Sequence, residues 1–210
     1  MGNMHEALMP RLIDAMVKTV LAEAELLGEL DRAIGDGDHG LNMMRGFQAI
    51  ADKRDELGQL PLGASLEAMG KVLVMTVGGA SGPLYGSLLM AMGRAAAGEA
   101  SLGRMIDEGI AAVKKRGKSD RGAKTMLDVL VPVQLAWEQA GSEDLALPET
   151  LERLRQAART GLESTRPLMA TKGRAAFLRE RSVGHLDPGA CSSCLLVQAV
   201  CDVFQESRQP

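Results

Sequence analysis

Aromatic side chains are nearly missing from this chain: one Trp, one Tyr and three Phe among 210 residues. A stacking platform for nucleic acid needs several such rings along a basic groove. The formal net charge is −3 and no strongly basic block interrupts it. Nucleic-acid binding is therefore not expected. The core must be aliphatic, drawn from Leu, Ala, Val and thirteen Met. Cysteine is scarce too. Three Cys, an odd count, make no disulfide framework and fit a reducing compartment. No apolar run reaches the length of a bilayer span. The opening MGNMHEALMP has no charged region followed by an apolar one, so no signal peptide is read. Met1, Gly2 and Glu6 miss the myristoylation pattern, which wants Ser or Thr at position 6. A cytoplasmic protein without membrane association is expected.

What the chain does have is helix formers: Ala, Leu, Met, Glu, Lys and Arg. Apolar residues at Leu8, Leu12, Ile13, Met16, Val17, Val20, Leu21, Ala24 and Leu27 form a helical stripe over 6–28, with Gly28 as its stop. Further helices are read at 41–58, at 65–77 with Ser65 as N-cap, from Pro83 to 97, at 102–116, at 125–141 around Pro132, at 148–170 and at 191–204. RAAFLRE, at 174–180, has room for a helical turn. No strand, repeat or linker is evident. The expectation is an all-α fold, one domain over 1–210, built as a single antiparallel bundle of eight helices. Links after the first, third, fifth and seventh helices then share one rim. They are 31–40, 78–86, 117–124 and 182–190, all polar and all bearing glycine.

The first of these links reads DRAIGDGDHG. A helix would set Asp36 and Asp38 about 200° apart, so their convergence needs a loop, which Gly35, Gly37 and Gly40 permit. Carboxylates crowded on one loop repel unless a cation sits among them. Oxygen ligands without Cys suit Mg²⁺ or Ca²⁺. An EF-hand starting at Asp36 fails, because its twelfth position is Phe47. Read alone, Asp31, Asp36 and Asp38 are either a metal loop or an Asp/Gly turn with an N-cap. His39, Gly40, Leu41 and Asn42 open the next helix, whose free N–H groups attract phosphate.

The other links carry similar pairs of readings. VGGASGPLYG lacks the ending of a P-loop and follows no strand. Gly78, Gly79, Ala80 and Ser81 either cradle phosphate through their backbone or make a tight turn. Lys172 and Arg174 are phosphate ligands or solvated cations. Asp187 and Pro188 read as N-cap and first residue of the last helix, and with Gly189 they also sit at the shared rim. His185, Cys191 and Cys194 do not complete a zinc site, and the cysteines are assigned to the core.

GDGDHG after a helix, VGGASGPLYG, RGKSDRGAKTMLD and KGRAAFLRERSVGHLDPGA occur in that order. Together they resemble the ADP-binding L subunits of bacterial dihydroxyacetone kinases, over almost the whole chain. The resemblance implies an eight-helix antiparallel barrel with a nucleotide at one end. It implies that Asp31, Asp36 and Asp38 bind two Mg²⁺ bridging the phosphates of ADP or ATP. His39, Gly40, Leu41, Asn42, Gly79, Ala80 and Ser81 would surround those phosphates. Gly117, Thr125 and Met126 would lie around the nucleoside. Arg174 and the turn of Asp187, Pro188 and Gly189 would close over it, with Arg174 placed to meet transition-state charge. The implied partners are a K subunit holding dihydroxyacetone, an M subunit bearing a phosphohistidine that recharges ADP, and a transcription regulator. The alternatives are an ATP-exchanging kinase subunit for another short ketose such as erythrulose, and a nucleotide-binding regulatory module.

Overall fold

The computed structural model describes residues 2–207, with side chains from residue 8 onward. The N-terminal reading turned on Met1, Gly2 and Glu6. Met1 and the side chains of residues 2–7 lie outside the described residues. Ten α-helices and one 3₁₀ segment account for the secondary structure, with no strand among the described residues. They are α1 (Gly2–Ala22), α2 (Ala24–Ile34), α3 (His39–Ala51), α4 (Arg54–Gln59), α5 (Leu62–Thr76), α6 (Ser81–Ala97), α7 (Leu102–Gly117), α8 (Leu127–Ser142), α9 (Leu147–Ser164), the 3₁₀ segment Arg174–Ser182, and α10 (Pro188–Glu206). None of these helices is long and apolar enough to cross a membrane.

Eight helices close a ring. α1 packs on α3, α3 on α5, and α5 through α10 each pack on the next, until α10 returns to α1. The expected eight-helix barrel is borne out, with α2 and α4 as additional short pieces. The α5–α6 seam shows how the sequence sets an antiparallel pair. A Cβ on Gly63 would lie 2.7 Å from Gly93 O, and one on Gly70 would lie 2.8 Å from Gly86 O. Two glycine pairs, each seven residues apart, let the backbones touch in opposite directions. The link between these helices, 77–80, is thereby held at one rim.

The interior is aliphatic, as the lack of aromatics required. Val20, Met43, Ile50, Met69, Leu73, Val113 and Leu127 fill one cluster with Phe47 and Tyr85. Val129, Leu151, Leu154, Ala158, Cys194 and Cys201 form a second. All three cysteines are buried as free thiols, so their assignment to the core is borne out.

Four helix boundaries differ from the sequence reading. The stripe over 6–28 breaks at Glu23, and Gly28 lies inside α2 instead of ending a helix. The 41–58 helix breaks at Asp52–Lys53, where no apolar residue continues the stripe. Arg54 instead grips Asp14 of α1 through both carboxylate oxygens, at 2.6 and 2.8 Å, and directs α4 onto α1. Ser65 is no N-cap: α5 starts at Leu62 after Pro61, and Ser65 sits buried within it. The seventh helix stops at Ser164. Pro167 disfavours helix in the residue before it. Ser164 Oγ and Thr165 Oγ1 also donate to the last-turn carbonyls of Gly161 and Leu162, each at 2.7 Å. The last helix agrees with its signals: Asp187 Oδ2 accepts from Ala190 N at 2.7 Å and Pro188 opens the first turn.

Candidate functional site

The break at Glu23 decides where the acidic motif sits. α2 turns across the barrel mouth and passes α3 at Gly40, where an added Cβ would overlap the Ala24 carbonyl and lie 2.8 Å from Gly28 N. Asp31 therefore stands on the last turn of a helix and not on the loop, while Asp36 and Asp38 follow on the turn. One Asp31 oxygen folds that turn: Oδ2 accepts from Asp38 N at 2.9 Å and His39 N at 3.1 Å. The first amide of α3, expected to face phosphate, is thus spent on Asp31. A Cβ on Gly35 would fall on the same carboxylate.

Oxygens of Asp31, Asp36 and Asp38 all lie within 4.8 Å of one another. At that range each pair repels by about 1 kcal/mol in water and several times more where solvent is thin. Among the described residues, Arg174 alone forms an ion pair with the cluster, Nη2 to Asp36 Oδ2 at 2.9 Å. One cation does not balance three carboxylates. The donor set is oxygen only, which fits Mg²⁺ or Ca²⁺ and not zinc.

His39 is held from both sides. Nδ1 meets Ser81 Oγ and Nε2 meets Ser192 Oγ, each at 3.0 Å. Tyr85 OH reaches Ser192 Oγ at 2.8 Å and Ser193 Oγ at 2.7 Å. Burial lowers the His39 pKa, against the pull of Asp31 and Asp38. This network locks the start of α3 to α6 and α10. The sequence singled out neither Ser192 nor Tyr85, and nothing local in it could have, since Ser192 is 153 positions from its partner.

The four links do share a rim. Asp31, Asp36, Asp38, His39 and Asn42 line one cleft with Gly78–Ser81, Thr125, Met126, Lys172, Arg174, Asp187, Pro188 and Gly189. Gly40, Leu41 and Gly117 do not line it. Gly40 is consumed by the α2–α3 contact, Leu41 is 45% exposed, and Gly117 ends α7 behind Leu84. The third link is fixed by Asp128, whose two oxygens accept from Gly122 N at 2.6 Å and Thr125 N at 2.8 Å. The signal was present as T-M-L-D, a Thr followed three residues later by an acid. Burial pushes the Asp187 carboxyl up to about 7, although its bond from Ala190 N opposes this. Lys124 lines the cleft as well and had no signal at all.

The DAK2 domain family profile matches residues 33–202. The chain is 41% identical over 189 residues to the PEP-dependent dihydroxyacetone kinase, ADP-binding subunit DhaL, of Escherichia coli strain K12, across 88% of this chain and 90% of that one. It is 43% identical over 194 residues to ADP-binding subunit DhaL of PEP-dependent dihydroxyacetone kinase 1 of Listeria innocua, across 90% and 92%. In three dimensions it is similar to the dihydroxyacetone kinase from C. freundii in complex with AMP-PNP and Mg²⁺. That match has a TM-score of 0.76 at 26% identity and covers 93% of this chain but 34% of that kinase.

Proposed function

This chain belongs to the DAK2 domain family, a family of kinase subunits and domains, and from that premise we propose that it is the nucleotide-binding, phosphoryl-transferring subunit of a dihydroxyacetone kinase. Its task is to pass the γ-phosphate of a Mg²⁺-bound ATP to dihydroxyacetone held on a separate K subunit. A phosphohistidine on an M subunit then restores ATP from the retained ADP. The supporting observation is the convergence of three carboxylates, the Gly78–Ser81 turn, Thr125–Met126 and the Asp187–Gly189 turn on one cleft.

Asp31, Asp36 and Asp38 would hold two Mg²⁺. Bound there, the metal would neutralise charge on the nucleotide phosphates. Asp31 is fixed before any ligand arrives, because two backbone amides hold one of its oxygens. Asp36 is paired with Arg174 at 2.9 Å and would be the third carboxylate available to the metal. Arg174, lining the same cleft, would then have its guanidinium available for charge developing on the transferred group. Gly79, Ala80 and Ser81 approach the phosphates from the start of α6. Thr125 and Met126, with Pro188 and Gly189, would line the nucleoside part of the same cleft. No side chain here is assigned as a base, since phosphoryl transfer rests on position and charge. The K subunit supplies the groups around the ketone.

The experiment is reconstitution. The purified chain, loaded with Mg-ADP, is mixed with a K subunit, dihydroxyacetone and phosphorylated M subunit, without free ATP. Formation of dihydroxyacetone phosphate is expected. Product that needs free ATP and ignores phospho-M would show an exchanging kinase subunit instead. No product under either condition would refute the kinase role.

A further inference from the structure

Lys124 has no place in the chemistry above, yet among the described residues it is the largest fully buried side chain, 1% exposed. An ammonium has three N–H donors, and each one here ends on a backbone carbonyl. Nζ donates to His185 O at 2.6 Å, Thr165 O at 2.8 Å and Leu168 O at 3.2 Å. No donor remains for a phosphate. Burial pulls the Lys124 pKa down, while the charges of Asp187 and Asp128 hold it up. Its backbone is left-handed, φ 59°, a conformation that a non-glycine residue keeps only when its surroundings hold it.

The three carbonyls belong to the chain leaving α9 and the chain entering α10. Lys124 itself directly precedes Thr125 and Met126. Its bonds therefore join the two walls of one end of the cleft. The link continues beyond the ammonium. Thr165 Oγ1 accepts from Asp187 N at 3.1 Å, and Asp187 caps α10. Ala123 O accepts from Thr171 N at 3.2 Å on the other flank. The walls meet where a methyl on Gly189 would lie 3.6 Å from Met126 N.

We propose that Lys124 is a positioning residue that sets the spacing between the Met126 wall and the Pro188–Gly189 wall, and thereby selects the nucleoside part of the ligand. This rests on the reading that the cleft binds a Mg²⁺-nucleotide. Metal and phosphates would be held by Asp31, Asp36, Asp38 and the Gly79–Ser81 turn, to none of which the Lys124 ammonium is bonded, so the two parts of the affinity separate.

The test compares Mg-ADP with Mg-pyrophosphate by calorimetry in the whole chain and in Lys124→Met. Wild type binding both, with Lys124→Met weakened about tenfold or more for Mg-ADP and about twofold or less for Mg-pyrophosphate, is the expected result. Unchanged affinity for Mg-ADP overturns the proposal. Equal weakening for both ligands, the mark of general loosening, also overturns it. A wild-type chain that binds neither refutes the nucleotide reading itself, and the proposal with it. Should Lys124→Met not fold, Thr165→Val serves, because it keeps the ammonium's bonds and removes the acceptor for Asp187 N, together with the hydroxyl's own bond to Leu162 O at the end of α9. It must show the same selective loss, and equal effects on both ligands would overturn the role of the link.

Discussion

Gly40→Ala adds one methyl group at the point where α2 crosses α3. The Cβ would lie 3.0 Å from the Ala24 carbonyl carbon, closer to its oxygen, and 2.8 Å from Gly28 N. Non-bonded heavy atoms in contact sit about 3.2–4.0 Å apart, and the carbonyl oxygen is the limiting clash, so α2 must retreat by roughly 1 Å or more. All three neighbours are backbone, and no side chain can swing aside. Overpacking of this kind costs about 1–3 kcal/mol, and the rigid partners put it at the upper end. Asp31 rides on α2, so its bonds to Asp38 N and His39 N, now 2.9 and 3.1 Å, stretch out of range. Their loss adds about 1 kcal/mol or more. A total of about 3–4 kcal/mol lowers Tm by roughly 6–16 °C in a domain of this size. The carboxylate cluster opens with the same movement, so Mg²⁺-dependent nucleotide binding weakens in parallel. Scanning calorimetry and titration of Mg-ADP measure both. A Gly40→Ala protein that melts within about 2 °C of wild type and binds normally would refute the account of how α2 is seated.

Asp31 separates folding from metal binding. Asp31→Asn keeps an oxygen for the two amides but weakens the metal ligand, so melting in EDTA stays near wild type while stabilisation by Mg-ADP disappears. Asp31→Ala orphans both amides and lowers stability even in EDTA, by about 2–4 kcal/mol in urea titrations. The Asp187 carboxyl, raised to about 7 in the folded chain from an ordinary 3.8, gives a pH signature in the metal-free protein. It holds its proton better folded than unfolded, so its contribution is fully present below about pH 4 and is lost as pH rises through about 7. Asp187→Asn flattens that decline, and a wild-type-like slope in the variant would contradict it. The Arg174–Asp36 pair is exposed and adds little to stability. Arg174→Met therefore melts within about 2 °C of wild type yet slows phosphoryl transfer about a hundredfold or more in the reconstituted assay.

The helical ring was legible because aliphatic periodicity and caps such as Asp187–Pro188 are local signals. So was the shared rim, which follows from alternate links in an up-and-down ring. The acidic motif could be found but not placed. Asp31 was read as loop because Gly28 looked like a helix stop. Whether that glycine ends a helix or admits another backbone depends on Gly40, twelve residues on. His39 illustrates the limit further, since its two hydroxyl partners come from α6 and α10. Lys124 was invisible for the same reason: a lysine in a polar loop has every mark of a solvated cation. Only the carbonyls arriving from α9 and α10 reveal that it is buried.

The central claim is that Asp31, Asp36 and Asp38 hold Mg²⁺ and that the metal holds the nucleotide. Mass spectrometry of the ligand released on denaturing the purified protein tests it most directly. Wild type prepared in Mg²⁺ should release ADP in near-stoichiometric amount. The Asp36→Asn, Asp38→Asn double variant, with an unchanged helical spectrum, should release almost none. Undiminished ADP from the double variant would contradict the claim.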